Sequence, residues 1–169
     1  PVAGGLGFVS IAAGEFSTCA LAGGGDVYCW GQIAAADSSD ATPSSTRVPE
    51  LVENSQTFIG LASGYYHVCG LTASGAAYCW GSGFSGQLGD GTVTPFRGTP
   101  AEAAGDNRFV SLSGGYWHTC GVTSQGAGYC WGNNNWAQLG DSTRNAHGTP
   151  APVTASVAFS KISAGGRHT

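Results

Sequence analysis

FVSLSGGYWHTCGVTSQGAGYCWG, running from Phe109 to Gly132, is the stretch whose reading decides the fold. The sequence states this unit twice before, as Phe8 to Gly31 (FVSIAAGEFSTCALAGGGDVYCWG) and as Phe58 to Gly81 (FIGLASGYYHVCGLTASGAAYCWG). Phe159 to Thr169 (FSKISAGGRHT) matches the opening eleven residues once more. The four leading phenylalanines are 50, 51 and 50 residues apart. A period of that size marks a repeat architecture, in which each unit buries its apolar face against its neighbours. The expected division is a lead-in over 1–7, repeats over 8–57, 58–108 and 109–158, and an incomplete fourth over 159–169.

Each full copy holds two cysteines with nine residues between them: Cys19 and Cys29, Cys69 and Cys79, Cys120 and Cys130. Between them lie an apolar run, a turn and a second apolar run. Gly25, Gly75 and Gly126 hold the third turn position, as a three-residue hairpin loop with a left-handed last residue requires. Folding about that loop pairs Ala22 with Asp26, Thr72 with Ala76 and Thr123 with Ala127. The same register sets each cysteine opposite its partner, with the Cβ atoms close enough for a disulfide. Nine intervening residues do not resemble the close pairs of a zinc site. One disulfide per hairpin is therefore expected, each contributing roughly 2.7 kcal/mol in the chain-entropy account. Three such bridges imply an oxidising compartment, outside the cell or on its surface.

Charged residues make up only 9% of the 169-residue chain, and 29 glycines with many small polar residues fill their place. A net charge of −4 and six scattered basic residues argue against nucleic acid, which needs clustered Lys and Arg. No apolar run approaches the length of a membrane span. The chain opens on Pro1 rather than methionine, so a mature, processed or excised segment is expected. Helical periodicity is missing between the glycines, and short strands punctuated by turns indicate an all-β protein. The connections after each Trp-Gly differ, although Gln87-Leu88-Gly89-Asp90 and Gln138-Leu139-Gly140-Asp141 match each other. The first connection, Gln32 to Asp37, lacks that box and is expected to differ in shape. Each connection runs through Pro49, Pro100 or Pro150 into an expected edge strand, where proline is tolerated. About four short strands per repeat is the content of a propeller blade.

The boxes Ile11-Ala-Ala-Gly14, Gly64-Tyr-Tyr-His67, Gly115-Tyr-Trp-His118 and Gly165-Gly-Arg-His168, with three Cys-Trp-Gly and two Gln-Leu-Gly segments, resemble the RCC1-like repeat family over nearly the whole chain. The resemblance implies an all-β propeller of RCC1-like blades. Members usually have seven blades, so three repeats and the start of a fourth correspond to about half a ring or an open blade array. The paired cysteines resemble the extracellular members. Exchange-factor members are nuclear, which does not suit expected disulfides and an acidic chain. Photoreceptor members use Gly-Trp-Arg-His-Thr motifs; only Gly165-Gly-Arg-His-Thr169 approaches one, with glycine at the tryptophan position.

Fold does not fix function, which lives in sites. His67, His118 and His168 share one repeat position, where the first copy has Ser17, and a structural hydrogen-bonding role is expected for them. Trp30, Trp80 and Trp131 face opposite to the neighbouring cysteine and are expected to pack between blades. Residues that vary against this constant background are more informative. Phe16, Tyr65, Tyr66, Tyr116, Trp117 and Arg167 follow a glycine turn and should lie on one rim, where aromatics are the type enriched at contact hot spots. Phe84 and Trp136, in the connections, are further candidates for the same or the opposite face. No nucleophile elbow or phosphate-cradling loop occurs. Asp90 and Asp141 read as turn residues, and they are the one carboxylate pair a carbohydrate-active reading can offer.

The expected function is a non-enzymatic extracellular binding or structural protein, with a protein partner or copies of itself. No catalytic residue, metal ligand, cofactor or small-molecule ligand is expected. The alternative is a self-assembling filament or surface-layer subunit. There, Phe159, Ile162 and His168 mark an open β edge that a neighbouring chain completes. A secreted enzyme inhibitor and a carbohydrate-active protein are the lesser readings.

Overall fold

The computed structural model describes residues 2, 5–34, 43–53 and 56–169. Within them the chain is all β, with twelve strands in three four-stranded antiparallel sheets. The first sheet orders β1 (Phe8–Ala13), β2 (Ser17–Ala22), β3 (Val27–Ala34) and β4 (Pro43–Leu51). The second orders β5 (Phe58–Ser63), β6 (His67–Thr72), β7 (Ala77–Ser82) and β8 (Phe96–Glu102). The third orders β9 (Phe109–Gly114), β10 (His118–Thr123), β11 (Gly128–Gly132) and β12 (His147–Pro152). β1 lies beside β5 and β5 beside β9, so the first strand of each sheet is the inner one. This is propeller architecture, with blades that meet face to face near an inner edge and end in an outer strand.

Glycine placement explains the hairpins. Gly25, Gly75 and Gly126 have φ of 92°, 85° and 81°, left-handed values that close each three-residue loop. The amides of Ala22, Thr72 and Thr123 then donate to the carbonyls of Asp26, Ala76 and Ala127. From there the pairing runs to Cys19 opposite Cys29, Cys69 opposite Cys79 and Cys120 opposite Cys130. All three pairs are disulfide-bonded, with Cα atoms 4.1 Å apart, and no cysteine is free.

Pro100 and Pro150 sit inside β8 and β12 rather than at their starts, which is possible because each of these strands pairs on one side only. Residues 35–42, which include half of the variant first connection, lie outside the described residues, as do 1, 3 and 4 of the lead-in. Residues 2 and 5–7 carry no strand.

One expectation is corrected. Phe159 to Thr169 forms no strand, although strand structure was expected of it. In the full copies the first strand is held by a ladder to the second, as β9 is by β10. In the last segment that ladder is reduced to the turn-closing bond from the Gly165 amide to the His168 carbonyl at 2.9 Å. The segment still docks on the third sheet, through Phe159 N to Gly126 O and Ala164 N to Ser113 Oγ.

The core lies between sheets. Trp80 of the second sheet packs with Cys19, Leu21, Val27 and Cys29 of the first, and Trp131 of the third with Cys69, Leu71 and Cys79 of the second. The second and third sheets thus press their tryptophans on the disulfide of the sheet before them. Trp131 is fully buried, and its Nε1–H donates to the Gln87 carbonyl at 2.9 Å. The Thr119 hydroxyl donates to the same carbonyl at 2.8 Å. That hydroxyl has one proton, so its 2.9 Å contact with His67 Nε2 must be accepted from the ring N–H. His118 Nε2 stands 3.0 Å from the Thr169 hydroxyl, one repeat further on. Hydrogen bonds, buried at His67 and part-buried at His118, therefore tie neighbouring repeats at the position where His recurs.

Candidate functional site

The rim is built on a rigid turn. Between the first and second strands of each copy, the amides of Gly14, Gly64, Gly115 and Gly165 donate to the carbonyls of Ser17, His67, His118 and His168. The turn is also clamped to the end of the third strand. Gln32 N, Ser82 N and Asn133 N donate to the carbonyls of Phe16, Tyr66 and Trp117 at 2.8, 2.8 and 2.7 Å. This clamp explains the invariable Trp-Gly pair. Gly31, Gly81 and Gly132 have φ of 92°, 102° and 103°, and a Cβ on any of them would run into the carbonyl oxygen of that same rim residue.

These turns bring the variable aromatics into one continuous cluster. Phe16 stacks on Tyr66 with centroids 5.0 Å apart and planes 7° from parallel, and meets Tyr65 edge-on at 5.3 Å. Tyr65 contacts Tyr66 at 4.5 Å, Tyr116 at 4.7 Å and Trp117 at 5.5 Å. Tyr66 in turn lies 5.8 Å from Trp117. Five rings from three successive blades make one surface, with Phe16 and Tyr116 exposed and the other three half-buried. Such offset and edge contacts are each worth about 0.5–1.5 kcal/mol beyond their area, so the cluster is ordered before anything meets it. Arg167 is exposed and lies over the ring of Trp136, 4.8 Å from its centroid, which draws one exposed connection aromatic to the rim turn. Phe84 is 63% exposed.

The other candidates fall elsewhere. Phe159 and Ile162 are half-buried against the third sheet and His168 is exposed; all three line a cavity with Cys130 and Leu139. Asp90 and Asp141 are turn residues. Asp90 Oδ1 accepts from the amide and hydroxyl of Thr92 and its carboxylate pairs with Arg97, while Asp141 accepts from Thr143, Asn134 and His147. Burial acts against the charged form of Asp141, but those hydrogen bonds outweigh it and hold the carboxyl below the usual carboxylate range. Among the described residues no group of three or more His, Cys, Asp or Glu could hold a metal ion. No helix among the described residues is long and apolar enough to cross a membrane.

Sequence reasoning missed the Gln-Leu-Gly box as a blade-to-blade contact. The Gln87 side chain only shapes its own loop, accepting from Ser85 N and donating to Ser82 Oγ. The carbonyl it thereby fixes receives Thr119 and Trp131 of the next blade. The matching boxes were a visible signal, but a main-chain acceptor leaves no mark in residue type.

Fold and rim together define a β-propeller scaffold that presents aromatic loop residues. Profiles of the Regulator of chromosome condensation (RCC1) repeat match residues 8–32 and 58–87, and a second such profile matches 74–122 and 125–169. The chain belongs to the RCC1 repeat family. It is similar to the ultraviolet-B receptor UVR8 of Arabidopsis thaliana, with 31% identity across 98% of this chain and 39% of that protein. Among solved structures it resembles human WBSCR16 (20% identity, TM-score 0.82, 96% of this chain and 43% of that one). It also resembles Prp20p of Saccharomyces cerevisiae (18% identity, TM-score 0.81, 95% and 42%), a structure described together with its binding to Gsp1p and histones. The chain thus spans about two fifths of the length of these proteins.

Proposed function

We propose that the chain is a non-enzymatic extracellular binding module, which contacts a protein partner through the rim formed by Phe16, Tyr65, Tyr66, Tyr116, Trp117 and Arg167. The observation that carries this reading is the continuous five-ring cluster, which crosses three blades and is held on clamped turns. Large, preordered aromatic surface lowers the entropy cost of association, and aromatics and Arg dominate contact energies. Three disulfides and no free thiol support an oxidising location, which this reading takes to be extracellular or at the cell surface. Protein binding by a family relative, Prp20p, supports the partner class.

The test is retention of proteins from the medium of the source cells on immobilised wild-type chain and on a Tyr65→Ala/Trp117→Ala variant. Removing two central rings is expected to weaken retention of the partner roughly thirty-fold or more, while the melting temperature moves by only a few degrees. Equal retention by both proteins contradicts the assignment of the rim.

A further inference from the structure

The five-ring cluster has relief. Phe16 and Tyr116 are 42% and 41% exposed, while Tyr65 between them is half-buried and meets their rings at 5.3 and 4.7 Å. Two raised rings with a lower one between them make a furrow. Its ring centres span at most about 10 Å, close to the roughly 9 Å in which a polyproline II helix makes one three-residue turn. Tyr66 and Trp117 close one side, 4.5 and 5.5 Å from Tyr65. The other side opens into a hollow of about 320 Å³, lined by Glu15, Tyr65, Tyr116 and the backbone of Gly14, Gly64 and Gly115. Those glycines let the turns close up, since a Cβ on any of them would come within 2.6 Å of the glycine carbonyl oxygen one repeat later. Across the three turns at 14–16, 64–66 and 115–117, Glu15 is the only charged side chain, and it is exposed beside Phe16. Tyr65, at the centre, has a turn of this chain on each side, so the furrow is bounded by the residues that form it.

Resting on the rim reading above, we propose that the furrow binds a proline-rich segment of the partner protein, held as a polyproline II helix with a basic residue at the Glu15 end. Aromatic ridges without charge suit proline rings, and this helix leaves its backbone carbonyls unbonded. The Tyr116 hydroxyl and the Trp117 indole N–H are donors at the surface for those carbonyls. Both sides are ordered before they meet, which keeps the entropy cost of association low. Charge complementarity sets the direction of the bound segment: the lone carboxylate lies at the Phe16 end, and a Lys or Arg pairs with it there.

Three synthetic peptides, titrated into the intact chain by calorimetry, test this: arginine followed by eight prolines, alanine followed by eight prolines, and arginine followed by four Gly-Ser pairs. Saturable uptake of one arginine-led proline peptide per chain is expected, roughly tenfold or more tighter than the Gly-Ser peptide. Tyr116→Ala, at an exposed ring, should weaken uptake roughly tenfold or more while the melting temperature stays within a few degrees. The arginine-led proline peptide should bind about threefold more tightly than the alanine-led one, a preference that Glu15→Gln removes. No uptake, a Gly-Ser peptide bound as tightly, or equal uptake by wild type and Tyr116→Ala overturns the proposal. A preference unchanged in Glu15→Gln overturns the placement of the basic end. Cellohexaose bound as tightly as the proline peptide overturns it in favour of a glycan, and a dimer that the peptide disperses does so in favour of a second copy. Failure of the peptides while Tyr65→Ala/Trp117→Ala still abolishes partner retention sinks this inference alone; equal retention sinks the rim reading beneath it.

Discussion

Trp131→Ala is expected to destabilise the chain by about 3–5 kcal/mol, the usual cost of deleting a large buried aromatic side chain. The indole lies between two sheets and is fully buried. Its loss opens a cavity against Cys69, Cys79 and Leu88 and removes one of the two donors to the Gln87 carbonyl. Trp131→Phe keeps most of the apolar area and leaves Thr119 on that carbonyl, so a loss of about 1–2 kcal/mol is expected. Trp30, by contrast, is half-buried and stacks on Phe8 of its own sheet. Its replacement by Ala should cost clearly less than that of Trp131. Urea unfolding of the three variants measures the series. Equal losses for Trp30→Ala and Trp131→Ala would contradict the picture of tryptophan seated on the disulfide of the neighbouring blade.

The second large effect is acid destabilisation by two buried histidines. Burial pushes His67 down to about 3, with His118 nearby acting the same way, and burial pushes His118 down to about 4. The geometry gives the reason. Each ring donates or contacts through Nε2, while Nδ1 is buried with no hydrogen-bond partner among the described residues. Protonation at Nδ1 would bury an unpaired cation. In the unfolded chain both rings protonate near their ordinary value of about 6.5. Below that pH the unfolded state binds more protons, so stability is lost as pH falls. The contribution is complete above about 6.5 and declines towards 4 for His118 and towards 3 for His67. Each ring contributes a slope of roughly 1.4 kcal/mol per pH unit in its window. Asp141, held below the usual carboxylate range, adds its own loss only at more acid pH. Urea midpoints measured from pH 7 to pH 4 should fall steadily, and His67→Gln with His118→Gln should flatten the curve. A flat wild-type profile over that range would show that the rings are not buried in the neutral form.

The hairpins were legible because the two-residue period of a strand and a fixed loop glycine determine register over a few residues. Once Gly75 ends the loop, Cys69 opposite Cys79 follows without further information. Contacts between blades were legible only as a class. Facing Trp131 away from Cys130 implies a neighbouring sheet, but the partner of its indole N–H is a main-chain carbonyl 44 residues away. The Thr119 that receives His67 is 52 residues distant, and only blade placement brings the two together. The rim residues could be assigned to one face from their turn position. Which ring stacks on which depends on the approach of adjacent turns, which repeat spacing does not encode. Phe159 to Thr169 was misread as a strand because strand patterning counts residues, whereas a strand exists only through its ladder.

Native, unreduced protein isolated with its thiols blocked, then digested and mapped by mass spectrometry, tests the central claim most directly. The account predicts three linked fragments, joining Cys19 to Cys29, Cys69 to Cys79 and Cys120 to Cys130, with no blocked thiol. Six blocked cysteines in native material would contradict both the oxidised hairpins and the extracellular location drawn from them.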